Sequence, residues 1–119
     1  MHEELFEAID GPGCRCVIVR GDIDLSNAKA LATVMDKGAA NGPLVVDLSD
    51  CTYLDSTGLS VLVKYERNHR GNLVIVAPPA QASLRILEIT GLALTFTIAP
   101  SRADALPIHV GQQLSANRS

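Results

Sequence analysis

Between Leu44 and Arg70 the hydrophobic period changes once, and that change constrains the fold more than any other feature of the chain. Leu44-Val45-Val46-Asp47-Leu48 is a short run, apolar apart from Asp47, as expected of a central strand covered on both faces. From Leu59 onward the apolar positions fall at Leu59, Leu62 and Val63, with Lys64, Arg67 and Arg70 between and after them. That spacing predicts an amphipathic helix. The two patterns meet in Tyr53-Leu54-Asp55-Ser56-Thr57-Gly58-Leu59, so Ser56 falls near the first turn of the helix. A serine there is favoured as an N-cap, because its oxygen accepts a bond from an unpaired backbone N–H. The same place tolerates an added anion, since free N–H groups and the positive end of the helix dipole converge on it. A hydroxyl so placed can act as a cap, a nucleophile or a phosphorylation site.

The rest of the chain repeats the alternation of strands and helices. Leu5–Ile9 and Cys14–Arg20 predict a hairpin closed by Asp10-Gly11-Pro12-Gly13, and Gly21–Leu25 reads as a turn. Ser26 or Asn27 can cap a helix running to about Lys37, with Ala28, Leu31, Ala32 and Met35 on its buried stripe. Gly38 to Pro43 breaks that helix. Leu73–Ala77 predicts a fourth strand, Gln81–Thr90 a third helix stopped by Gly91, and Thr95–Ile98 a weaker fifth strand. Ser101–Leu106 has the makings of a last helical turn. The expected fold is a single α/β domain, a mixed sheet of about five strands with helices, in which strands three, four and five run parallel. A chain of 119 residues suits one core. With 3% aromatic residues and no tryptophan, that core must be aliphatic. From Pro107 to Ser119 the composition predicts a flexible tail.

Three ordered segments give the chain a family likeness. Asp55-Ser56-Thr57-Gly58-Leu59 after Val45-Val46-Asp47-Leu48 resembles the signature of STAS-domain anti-sigma-factor antagonists. Gly21-Asp22-Ile23-Asp24 upstream matches as well, as does Leu84-Arg85-Ile86-Leu87 leading to Gly91-Leu92 downstream. The resemblance covers residues 3–106 and departs at Ser60, where many relatives carry a second glycine. It implies a STAS fold and a binding module regulated by phosphorylation of Ser56. The implied partners are an anti-sigma factor with serine-kinase activity and a serine phosphatase. The partner-binding residues it implies are Asp22, Asp24, Asp55, Ser56, Thr57, Gly58, Leu59 and Ser60. It also admits a second role, a STAS subunit bracing the ATPase of a lipid-transport ABC complex.

Other functions fit the residues less well. Hydrolysis by Ser56 would need a histidine within hydrogen-bond reach. His69 lies more than three helical turns away, roughly 20 Å at 1.5 Å per residue. Neither a G-x-S-x-G elbow nor a P-loop occurs, so no enzyme and no cofactor are expected. Asp22, Asp24, Asp47, Asp50 and Asp55 fall mostly at strand ends, where capping of turns and helices accounts for them without a metal. Three cysteines suggest small buried hydrophobes rather than a disulfide framework or a zinc site. A net charge of -3 without a basic stripe speaks against nucleic acid. No apolar run approaches the ~18 residues of a membrane span, so no membrane partner is expected. Met1-His2-Glu3-Glu4 lacks the layout of a secretory signal, so the cytoplasm is the expected location. Lys64, Arg67 and Arg70 read as a solvated face that complements the helix dipole. Gly58 costs the helix about 1 kcal/mol relative to alanine, so its expected purpose is to admit a partner's backbone. Leu59 and Val61, with Gly58 and Ser60, can present a small apolar patch beside the hydroxyl, and Leu59 can equally belong to the core.

Overall fold

The computed structural model describes residues 5–11, 14–39 and 42–105. The expected tail, 107–119, lies outside these, as do Pro12 and Gly13 of the first turn. Strand β1 (Phe6–Gly11) pairs antiparallel with β2 (Cys14–Ile23) as the expected hairpin, with Phe6 opposite Val19 and Gly11 opposite Cys14. β3 (Leu44–Leu54), β4 (Leu73–Val76) and β5 (Thr97–Ala99) follow in parallel, so the sheet runs β1-β2-β3-β4-β5. Helices α1 (Ala28–Ala39), α2 (Ser56–Asn68) and α3 (Ala82–Ile89) form the three crossovers. Crossovers made in one direction by the right-handed rule place all three helices on one face of the sheet.

The side chains agree with that placement. Val17, Val19, Leu44, Val46, Leu48, Leu73 and Ile75 point to the helix face and join Leu31, Met35, Leu62, Tyr65 and Leu87 in one core. The alternate positions Val45, Val74, Val76 and Ala99 form a smaller cluster on the other face, with Cys16 at its margin. Residues 102–105 make a helical turn whose Ala105 packs onto this second cluster. Asp47 is buried on the same face, where its Oδ2 lies 3.0 Å from Nε of Arg102. Its Oδ1 accepts from the N–H and the hydroxyl of Ser49 at 2.9 and 2.6 Å. An ionised side chain in a parallel sheet is tolerable only when paired in this way.

Two strands are longer than their local patterns suggest. Gly21-Asp22-Ile23, which reads as a turn, continues β2, and β3 continues six residues beyond Leu48 to Leu54. Asp22 pairs with Tyr53 and Ile23 with Leu54, after register shifts between Ile18 and Arg20 and between Gly21 and Asp22. Such bulges let a strand absorb an extra residue and keep pairing. Gly21, at φ +80°, supplies the left-handed conformation that this local geometry requires. β4 ends one residue early, at Val76. The fifth strand begins later than expected, because Leu92–Leu94 forms a 3₁₀ turn and Phe96 is drawn into the core. Gly91, at φ +79°, follows α3 as the expected stop.

Candidate functional site

The lengthened strands bring two distant loops to one edge of the sheet. Ile23 and Leu54 are paired neighbours, and where they leave the sheet the Asp55 N–H donates to the Ile23 carbonyl at 3.0 Å. Asp55 has extended backbone angles, φ -89° and ψ -175°, and caps α2. Its Oδ1 accepts from the N–H groups of Thr57 and Gly58 at 2.9 and 3.2 Å, and from the Thr57 hydroxyl. The hydroxyl of Thr57 holds the Asp55 carboxyl below the usual carboxylate range, more strongly than partial burial raises it. The N–H groups of Gly58, Thr57 and Leu25 act in the same direction as the hydroxyl.

Ser56 is therefore not the cap. It is the first residue of α2, exposed, and among the described residues no hydrogen bond engages its hydroxyl. Its carbonyl accepts from the Ser60 hydroxyl at 2.8 Å. A neighbouring carboxylate binds the orphan N–H groups better than a hydroxyl does, so the cap does not use the serine oxygen. Thr57, by contrast, has its hydroxyl committed to Asp55.

Gly58 also has a different explanation from the one its position suggests. It is buried, and a Cβ built on it would lie 2.7 Å from Cγ2 of Ile23 and 3.2 Å from Cδ2 of Leu54. The glycine lets the first turn of α2 press against the ends of β2 and β3, so the close approach is internal.

The acidic positions take up loop-closing roles on the same rim. Asp22 Oδ1 accepts from the Thr52 hydroxyl, and Asp24 Oδ1 accepts from the N–H and hydroxyl of Ser26. The start of α1 is organised by this network rather than by a Ser26 cap. Asn27 closes it, accepting from the Asp24 N–H and donating to the Asp22 carbonyl, both at 2.9 Å. Asp22 and Asp24 remain exposed. Two large apolar side chains stand out beside them, Leu25 at 79% and Tyr53 at 52% exposure. Neither was identified as a site residue by spacing. Leu25 carried a usable signal, an apolar residue set in an otherwise polar turn.

Leu59 and Val61 diverge instead of sharing a patch, and both are half-buried against the main core, the other reading open to Leu59. Leu59 lines a groove toward Thr90 and Leu92, whereas Val61 lines a cleft toward Ala32 and Met35 of α1. Ser60 sits on the ridge between the two depressions. His69 closes the far end of α2, its ring 4.3 Å from that of Tyr65. It is thus about 20 Å along the helix from Ser56, too far to serve it as a base. Among the described residues no helix is long and apolar enough to cross a membrane.

A five-stranded mixed sheet with its helices on one face is the fold of a SpoIIAA-like STAS domain. The chain belongs to the STAS domain family: the family model described as Mlab, STAS domain, matches residues 11–97. Among solved structures it is similar to an anti-sigma factor antagonist from Mycobacterium paratuberculosis. The two share 31% identity over 87% of this chain and 92% of that one, with a TM-score of 0.77. A putative anti-sigma factor antagonist from Thermotoga maritima shares the fold at 19% identity, 87% and 93% coverage and a TM-score of 0.76. So does the anti-sigma factor antagonist SpoIIAA in its unphosphorylated form, at 12% identity, 86% and 94% coverage and a TM-score of 0.61. A comparison with curated proteins finds no match.

Proposed function

We propose that the chain is an anti-sigma-factor antagonist acting in the cytoplasm and switched by phosphorylation of Ser56. In this reading the unphosphorylated domain binds an anti-sigma factor and so frees the sigma factor. The anti-sigma factor is itself a serine kinase: the Ser56 oxygen attacks the γ-phosphorus of its ATP, ADP leaves, and the hydroxyl proton passes to a base of the kinase. A phosphatase reverses the step by hydrolysis. The domain occupies residues 3–106 with 107–119 as a tail, and it supplies no catalytic group of its own. Asp22, Asp24, Leu59 and Ser60 contact the partner around Ser56, while Asp55, Thr57 and Gly58 hold the turn that presents the serine.

The observation that carries this reading is the division of labour between adjacent hydroxyls. Thr57 is bound to the cap, and Ser56 is exposed with its oxygen unengaged among the described residues. Similarity to the mycobacterial antagonist at 31% identity supports the class of partner. A phosphate adds about -1.5 to -2 charge at pH 7. At a helix N-terminus that charge is stabilised by roughly 0.3–1 kcal/mol, so the domain stays folded. The effect falls on the complex, where an unmatched dianion pressed into an interface loses hydration worth several kcal/mol. About 1.4 kcal/mol is tenfold in affinity, so a loss of roughly a hundredfold or more is expected.

Titration calorimetry of the anti-sigma factor against native, phosphorylated and Ser56→Ala protein tests the switch. Native and Ser56→Ala protein should bind alike and the phosphoprotein far more weakly; equal affinity for all three would overturn it. The Mlab description of the matching family favours a second reading, the STAS brace on a transporter ATPase. In that role Ser56→Glu should leave co-purification with the ATPase unchanged.

A further inference from the structure

The outer flank of α2 carries a groove whose other wall is the segment from Thr90 to Thr95. Leu59, Val63 and Leu92 supply its apolar lining, and Ser56 stands at one end. Within the segment that forms this wall Leu94 is 94% exposed, and Ile89, which precedes the segment, is 76% exposed. Lys64, Arg67 and Arg70 line the remainder, with Glu66 as the carboxylate among them. All three cations are exposed, and among the described residues none joins an ion pair.

The helix dipole does not account for this arrangement. Its effect is confined to the last turn, which explains Arg67 but not Lys64. Cations three residues apart on one helix flank repel each other, at a small cost to the helix. A chain of net charge -3 thus keeps a local excess of positive charge beside exposed apolar side chains.

We infer that this groove receives an acidic amphipathic segment of the partner. Its apolar side lies on Leu59, Val63 and Leu92, and its carboxylates meet Lys64, Arg67 and Arg70. A helix of about 13 residues has the length of α2, roughly 20 Å. The sign of the occupant also explains how a phosphate at the groove's end acts. A dianion on Ser56 repels an acidic occupant along the groove, whereas it would attract a basic one. The partner's identity rests on the proposed function; the chemistry of its segment rests on the groove.

The test titrates ¹⁵N-labelled protein with two helical peptides of about 14 residues that share an apolar face. One is flanked by glutamate and the other by lysine; phosphatidylglycerol vesicles are a third probe. The acidic peptide should shift the amides of Leu59, Val63 and Leu92, with an affinity that falls as salt is added. The basic peptide should not, and Lys64→Glu/Arg67→Glu should exchange the two preferences. Circular dichroism confirms that the variant is folded. Against the anti-sigma factor itself, the same variant should bind about tenfold or more weakly. Equal binding of both peptides, no shift with the acidic one, shifts elsewhere, or vesicle binding without peptide binding would overturn the inference. Unchanged anti-sigma-factor binding by the charge-reversed variant defeats the groove while leaving the Ser56 switch standing. Loss of binding in that variant, with phosphorylation inert, defeats the switch and leaves the groove.

Discussion

Gly58 and Ile23 are 35 positions apart in sequence, yet a single methyl group added to the glycine would stand 2.7 Å from the Ile23 Cγ2. That contact presses the first turn of α2 onto the end of β2 and sets where Ser56 is displayed. The neighbour is a β-branched strand residue with stiff χ1 and little freedom to retreat.

Gly58→Ala should therefore destabilise the domain, although alanine is the better helix former by about 1 kcal/mol. Overpacking of this kind costs about 1–3 kcal/mol, so the net loss is expected at the lower end of that range. Ile23→Ala on its own leaves a cavity and costs about 2–5 kcal/mol. In the double variant the two changes should compensate, with a loss smaller than the sum of the singles. Urea unfolding of the four proteins measures this; strict additivity would mean that the contact does not limit the site.

The cap is expected to respond to pH through Asp55. Its carboxyl lies below the ordinary 3.8 in the folded state, mainly because of the Thr57 hydroxyl. A depressed folded value contributes stability above the unfolded pKa, and that stability is lost as pH falls through the folded one. Thermal melts of the native protein should therefore lose stability below about pH 4. Asp55→Asn keeps an acceptor oxygen for the cap and should flatten that acid limb. Asp55→Ala should lower the melting temperature more than Ser56→Ala, whose own effect should stay within about 0.5 kcal/mol.

Thr57→Ala removes a hydroxyl already committed to Asp55. It should lower the melting temperature slightly and leave phosphate incorporation at Ser56. Peptide mapping by mass spectrometry decides the matter, since a phosphate found on Thr57 in the native protein would move the site.

On the opposite face, Arg102→Ala would leave the buried Asp47 carboxylate without its cation. Two bonds from Ser49 remain, so a loss of about 1–3 kcal/mol is expected rather than complete unfolding. Asp47→Asn in the same chain should recover part of it, as read by urea unfolding.

The thiols should report burial. Burial pushes Cys51 up to about 11, against the opposing backbone bond at Tyr53, and pushes Cys16 up to about 11, helped by the charge of Asp47. At pH 8 both should resist iodoacetamide in the native protein and react after unfolding in urea. Fast labelling of Cys51 in the folded state would show that the end of β3 opens.

What the sequence determined by itself was local. The aliphatic run Leu73–Val76, the helical spacing after Leu59 and the glycine at 91 each act through their immediate neighbours, so strand, helix and stop were legible without a fold. With the right-handed crossover rule, those elements also implied the parallel sheet. Ser56 was marked out by its place at a strand-to-helix junction, where a hydroxyl can cap, attack or take a phosphate, and only the family resemblance singled out the last. Its role there was decided by tertiary structure. Which of Asp55, Ser56 and Thr57 closes the helix depends on where β3 delivers the chain. β3 reaches Leu54 beside Ile23 because it absorbs an extra residue at each of two register shifts, so that Asp22 and Ile23 keep pairing beyond an apparent turn. The meaning of Gly58 likewise depended on Ile23, a neighbour brought close by strand pairing rather than by sequence. The groove along α2 needed a second wall from the Thr90–Thr95 segment, and no periodicity within α2 could disclose it.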